Sequence, residues 1–339
     1  MSPTVRATLF LAVLSCVLAF SSASTVAQTA IDDVHIGPRE KPLEVAAAAY
    51  GTSSAAGVYS SGLIRSSVDL VLVPVTITDD RYRPVVGLDQ DNFQLFEGKK
   101  PQPIKHFSSE DAPVSVGILV DTSGSMSSKL DRARDAVVQF CEAANPQDEF
   151  FMITFADEPR LVTDFTNRPE KLGSDLLTAR SKGLTSLLDA IYMAIQKMRG
   201  ARYGRKALLI ISDGGDNHSR YSERDVKSAI KEADVLIYTV GIYDSYVRTQ
   251  EELLGPELLR TVAGLSGGHA FTLENANDMP AVTRAIGTQL RHQYMLAYQP
   301  QSSPHDGKWR KISVKLRLPN KIRYFLHVDA RPGYYADGK

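Results

Sequence analysis

The sequence predicts an α/β protein: a doubly wound, mainly parallel sheet covered by helices on both sides, with a smaller β module drawn from both ends of the chain. Three observations carry this. Over residues 111–299, short apolar runs alternate with segments of helical period, as buried parallel strands and their crossover helices do. Ahead of that stretch, short strand patterns follow one another with no helix between them, and behind it two more strands alternate apolar with polar residues. The length of 339 residues, with 43% hydrophobic and 23% charged side chains, suits two or three globular units rather than a disordered or fibrous chain.

The first element is a leader over residues 1–27. Arg6 precedes a mostly apolar run from Ala7 to Phe20, and both Ser21-Ser22-Ala23 and Thr25-Val26-Ala27 fit a small-x-small cleavage site. That is the form of a secretory signal peptide. A spanning helix wants about 20 apolar residues, and this run stops short. The expected location is therefore periplasmic or secreted, with no membrane span after cleavage. A lipid anchor at Cys16, after Val13-Leu14-Ser15, is the variant; the apolar run continues past that cysteine, which argues against it. With the leader removed only Cys141 remains, so no intramolecular disulfide can form. Its place beside Phe140 on an apolar helix face reads as core packing.

Residues 28–65 are rich in Ala, Ser and Gly and poor in large apolar side chains, the composition of a flexible linker. An N-terminal β module over 66–110 follows. Val71, Val73, Val75 and Ile77 share one face of its first strand, and "YRPVVGL" and "DNFQLFEGKKPQPIKHF" supply more. In the α/β domain, "VSVGILV", "FFMITFA", "ALLIIS" and "VLIYTVGIY" read as strands buried on both faces, and "HAFTLE" as a further one. Helices are expected over Lys129 to Ala144, Leu187 to Arg199, Glu223 to Ala233, Glu251 to Leu265 and Asp278 to Gln289. In residues 300–336, "KWRKISVKLRL" and "IRYFLHVDA" are half-buried strands. Two strands alone are marginal, so they are expected to pack with the N-terminal module, the α/β domain being inserted between its two parts.

Lys plus Arg and Asp plus Glu number 39 each, so no global field draws the chain to nucleic acid or anionic lipid, and affinity must come from a local site. One stretch offers it. The first strand of the α/β domain runs into Asp121-Thr122-Ser123-Gly124-Ser125, where oxygen side chains alternate and Gly124 permits a sharp turn. Thr185 lies in the loop before a helix, in "KGLTSLLDAI", and Asp213 ends another strand, in "LLIISDGGDN". Open α/β sheets gather ligands just beyond the carboxyl ends of their strands.

Asp121, Ser123 and Ser125 in a D-x-S-x-S pattern, Thr185 of "GLTSL" and Asp213 of "SDG" resemble the metal-ion-dependent adhesion site of von Willebrand factor type A domains. The resemblance spans roughly residues 112–299 and implies a Rossmann-like sheet. The flanks "PVTITDDRYRPVVGL", "FQLFEGKKPQPIKHF" and "DGKWRKISVKL" are further similar to an exported bacterial VWFA-related family known from acidobacterial genomes. The resemblance implies that Ser123, Ser125 and Thr185 ligate an ion directly, that Asp121 and Asp213 act through water, and that an Asp or Glu of a protein partner completes the coordination. It also implies that the last helix, Asp278 to Gln289, could shift between affinity states. On chemistry alone, an oxygen-only set without His or Cys suits a hard cation, Mg²⁺ before Mn²⁺ or Ca²⁺.

Other readings of these residues explain less. Ser127 or Ser128 could cap the following helix, but capping explains one loop rather than three. Asp216, Asn217 and His218 read as a polar loop at the rim, not as ligands. "GLSGG" at 264–268 matches a nucleophile elbow in letters only, since a helix precedes the serine and a strand follows it. Asp121 lacks a second carboxylate two residues on, no phosphate-binding P-loop is present, and no His pairs with an evident nucleophile. The expectation is an exported, metal-dependent protein-binding module of adhesion type and no enzyme. The alternatives are a metal-free envelope assembly scaffold and a metal-dependent hydrolase, which would need a general base near the ion.

Overall fold

The computed structural model describes residues 70–243, 250–300, 306–319 and 325–336. The leader, the linker and Cys16 lie outside the described residues. The chain opens with strands β1 (Val71–Asp79), β2 (Phe93–Glu97), β3 (Lys100–Gln102) and β4 (Ile104–Ser108). The α/β segment begins with β5 (Ser115–Asp121), α1 (Leu130–Ala143), β6 (Glu149–Phe155), β7 (Pro159–Thr166) and α2 (Pro169–Leu177). It continues through α3 (Leu187–Met198), β8 (Lys206–Ser212), α4 (Glu223–Glu232) and β9 (Leu236–Ile242). Then come α5 (Gln250–Ser266), β10 (Ala270–Leu273) and α6 (Met279–Arg291). β11 (Tyr294–Tyr298), β12 (Trp309–Leu316), β13 (Leu326–Ala330) and β14 (Gly333–Tyr335) close it. Among the described residues no helix is long and apolar enough to cross a membrane.

Six strands form the central sheet in the order β10-β9-β8-β5-β6-β7. All neighbours are parallel except β6 and β7. All seven residues of β5 are buried, which is why its sequence is a continuous apolar run rather than an alternating one. Its side chains divide between two cores. Val116, Ile118 and Val120 pack with Ala133, Val137 and Phe140 of α1 and Ile286 of α6. Leu119 joins Phe151 and Ile153 of β6 against Ile191 and Ala194 of α3 and Val262 of α5. The sheet is thus wound on both faces, as predicted. Cys141 packs at the edge of the first core, and burial pushes its thiol up to about 12.

Two four-stranded antiparallel sheets, β13-β1-β11-β4 and β14-β12-β2-β3, stack on a third core. Each contains strands from before and after the α/β segment: Val75 sits opposite Ala330, and Leu95 opposite Val314. Val73, Val75 and Ile77, fully buried, meet Phe93, Leu296, Tyr298 and Ile312 between the sheets.

The structure departs from the sequence reading in three places. Tyr294–Tyr298, placed at the end of the α/β domain, pairs instead with β1 and β4. An apolar run buried on both faces has the same local pattern in either sheet, and only its partners decide. β7 and α2 were not foreseen. β7 is an edge strand whose Arg160 and Asp164 interrupt any apolar run, its inner face being carried by Leu161, Thr163 and Phe165. α2 is short, starts on Pro169, and buries only Leu172 and Leu176, one turn apart.

Candidate metal centre

β5 lies between β6 and β8. From it the chain crosses by α1 on one face to β6, and it reaches β8 only after α3 on the other face. The crevice at the carboxyl ends of β5 and β8 is therefore the place where the winding reverses, and ligands of this fold class bind at such a point.

Asp121 is the last residue of β5 and is wholly buried. Its Oδ1 accepts the Ser123 amide at 2.8 Å, and its Oδ2 accepts the Ser212 hydroxyl at 2.6 Å. Ser123 Oγ and Ser125 Oγ stand 3.1 Å apart. Ser123 is buried and Ser125 exposed, so the cluster opens to solvent on the Ser125 side. No serine caps α1, since the residue before the helix is Lys129 and its side chain caps nothing. The capping explanation of these serines falls away.

Three loops are stitched into one unit. The Asp121 loop joins the Thr185 loop through Gly124 N donating to Gly183 O at 3.1 Å and Lys182 N to Thr122 O at 2.9 Å. The Thr185 loop joins the Asp213 loop through Thr185 N donating to Asn217 Oδ1 at 2.9 Å, while Thr185 O accepts the Asn217 and His218 amides at 3.1 and 3.0 Å. The Asp213 loop returns to Asp121 through Ser212. Asp216 and Asn217 are accordingly structural: Asp216 Oδ1 accepts the Leu188 amide in the first turn of α3 at 3.2 Å and the Ser219 hydroxyl at 2.6 Å. The turn after Asp213 needs glycine twice over. Gly214 has φ +80, and a Cβ on Gly255 of α5 would stand 2.7 Å from Asp213 O.

The electrostatics are set by burial. Asp121, Thr185 and Asp213 are 0%, 5% and 2% exposed. Loss of water, then the neighbouring Asp213 carboxylate, push the Asp121 carboxyl up to about 7, although Ser123 and Ser212 donate to it. Asp213 Oδ2 is buried and accepts no hydrogen bond. Lys129 Nζ stands 3.8 Å from it, with both side chains under a tenth exposed. Sequence reasoning missed Lys129 as part of the site. A cation at a helix N-terminus, where the helix dipole disfavours one, is unusual but does not say where its ammonium points.

A buried carboxylate oxygen with an ion pair at 3.8 Å but no hydrogen bond, beside a second buried carboxylate, is what an oxygen-seeking cation would relieve further. The five predicted residues, two carboxylates and three hydroxyls, belong to the three joined loops. Among the described residues no group of three or more His, Cys, Asp or Glu is placed to hold a metal, so an ion here would depend on those hydroxyls. The Ser266 of "GLSGG" is no nucleophile: its hydroxyl donates to Ala263 O at 2.7 Å and accepts the Ile237 amide at 2.8 Å, closing the end of α5.

The von Willebrand factor type A domain family matches residues 116–215, which include Asp121, Thr185 and Asp213. Inter-alpha-trypsin inhibitor heavy chain H4 of Homo sapiens is 25% identical over 134 residues, covering 36% of this chain and 14% of its own length. The Bos taurus protein of that name is 29% identical over 116 residues, covering 31% and 13%. The chain thus spans only a small part of these relatives. Among solved structures, BatB from Bacteroides thetaiotaomicron shares 19% identity at a TM-score of 0.42, over 52% of this chain and 98% of its own. A von Willebrand factor type A protein from Catenulispora acidiphila shares 11% identity at 0.47, over 80% and 74%. The chain carries a von Willebrand factor type A domain.

Proposed function

We propose that the protein is an exported, metal-dependent protein-binding module. Ser123, Ser125 and Thr185 would hold one hard divalent cation, Mg²⁺ before Mn²⁺ or Ca²⁺, with Asp121 and Asp213 supporting it through water. When bound, that ion supplies an electrophilic position for an Asp or Glu carboxylate of a partner protein.

The observation that carries this reading is the meeting of three loops around two buried carboxylates, one of which has an oxygen without a hydrogen bond. The chain's own groups do three things there. Ser123 N and Ser212 Oγ aim Asp121 and keep its lone pairs turned inward. Asn217 fixes the loop that presents Thr185. The exposed Ser125 leaves one side on which an acidic residue can approach. Asp216 and Asn217, the polar residues that follow Asp213, are engaged with α3 and with Thr185, which fits a binding role.

Titration calorimetry with MgCl₂ and MnCl₂ tests the ion: saturable heat from the wild type and none from Asp121→Ala is expected. Pull-down from an envelope extract with and without chelator tests the partner. Capture that ignores both the chelator and Asp121→Ala would point to a metal-free scaffold, and turnover of phosphoester or peptide substrates that Asp121→Ala abolishes would point to a hydrolase.

A further inference from the structure

We infer that Lys129, its ammonium 3.8 Å from Asp213 Oδ2, is a built-in countercharge that competes with the divalent cation and so sets the affinity of the site. The inference rests on the metal-dependent reading above and adds what controls loading.

A surface lysine lays its stem along the protein and keeps its ammonium in water. Lys129 does the reverse, with 6% of its side chain exposed. Its position is fixed at both backbone groups: its amide donates to Met126 O at 2.9 Å, and its carbonyl accepts the Ala133 amide at 3.0 Å. The side chain therefore starts from a rigid turn between the D-x-S-x-S loop and α1. Lysine is almost never buried without a charge partner, and the helix dipole opposes a cation at this end of α1. Both costs are accepted here, and Asp213 is a compensating group.

The placement of charge explains why. Asp121 and Asp213 bring two carboxyl groups into a dry crevice, and Lys129 sets a positive charge beside one of them. Without a metal, this ammonium is a positive charge that makes the Asp213 carboxylate more tolerable. A divalent ion arriving at the same cluster is repelled by it over a short, poorly screened distance. Lys129 thus exchanges affinity for the ability to remain folded without metal, and the site fills only where divalent ions are plentiful. It is a tuning residue, because the ligand oxygens belong to other side chains.

The test is calorimetric titration of Mg²⁺ and Mn²⁺ into the full chain as wild type, Lys129→Met and Lys129→Gln, with melting temperatures in chelator and in excess Mg²⁺. Removing the charge is expected to tighten binding about tenfold or more, to lower the melting temperature in chelator, and to enlarge the rise on adding Mg²⁺. Lys129→Gln removes the charge while leaving a polar side chain in that space, and it reads the same sign if the Met variant folds poorly. Wild type that binds metal while both variants bind it equally or more weakly overturns the inference and leaves the proposed function standing. Variants that bind while wild type does not would uphold the countercharge and overturn the proposed function; no uptake by any of the three overturns both.

Discussion

Ser212 donates its hydroxyl proton to Asp121 Oδ2 at 2.6 Å, a bond between residues 91 positions apart in sequence. Parallel pairing of β5 with β8 brings them together, since Val120 lies opposite Ile211 and the next residues, Asp121 and Ser212, end the two strands. The same Oγ accepts the Gly214 amide at 2.9 Å, so one hydroxyl orders both the Asp121 carboxylate and the turn after Asp213.

Ser212→Ala should remove both bonds at once. The expected cost is about 1–3 kcal/mol, because a buried carboxylate oxygen and a buried amide each lose a partner. Thermal denaturation checks it, and calorimetry should show weaker Mn²⁺ uptake. An unchanged melting temperature would refute the ordering role.

Loading should depend on pH. The Asp121 carboxyl stands near 7, raised from 3.8 by burial and by Asp213. A cation needs the carboxylate, so protons compete with it as pH falls through that value. Between pH 8 and pH 6 the apparent Mg²⁺ affinity should fall by about tenfold. Without metal the sign reverses. A raised carboxyl pKa means the folded state binds the proton more tightly than the unfolded chain does. This stabilisation is complete below the unfolded value and is lost as pH rises through about 7. Melting temperatures across that range, in chelator and in Mg²⁺, should slope in opposite directions.

Gly255→Ala should disturb the site from a distance. Its new Cβ would lie 2.7 Å from Asp213 O, so α5 and the Gly214 turn must separate. A loss of about 1–3 kcal/mol is expected, together with weaker metal binding. Gly264→Ala, on the same helix with nothing within 4 Å, is the control. It should be neutral or stabilise by up to about 1 kcal/mol. Equal melting temperatures for the two variants would contradict this account.

Ending the chain at residue 300 should prevent cooperative folding. It removes β13, which pairs with β1, β12, which pairs with β2, and β14, which pairs with β12, and it uncovers Val73, Val75 and Leu95. Circular dichroism and a denaturant titration would show it. Leu296→Ala, wholly buried in the same core, should cost about 2–5 kcal/mol.

Much of this was readable residue by residue. β5, β6, β8 and β9 were legible because a strand covered on both faces must be apolar throughout. The D-x-S-x-S loop was legible because few backbones need alternating oxygens at a strand end. β7 was hidden because an edge strand need bury only one face, and "PRLVTDFT" satisfies that with Leu161, Thr163 and Phe165 while charged residues break the run. Lys129 was hidden because a lysine at the start of a helix has the same letter whether its ammonium faces water or Asp213.

The sequence by itself determined the alternating α/β architecture, the three loops with their oxygen side chains, and the strand patterns at both ends, since local periodicity encodes which faces are buried. Only the tertiary structure decided that β11 leaves the parallel sheet for β1 and β4, that Ser212 aims Asp121, and that Lys129 turns inward to Asp213. These depend on strand neighbours and on exclusion of water, which belong to the folded chain as a whole and leave no mark in local residue spacing.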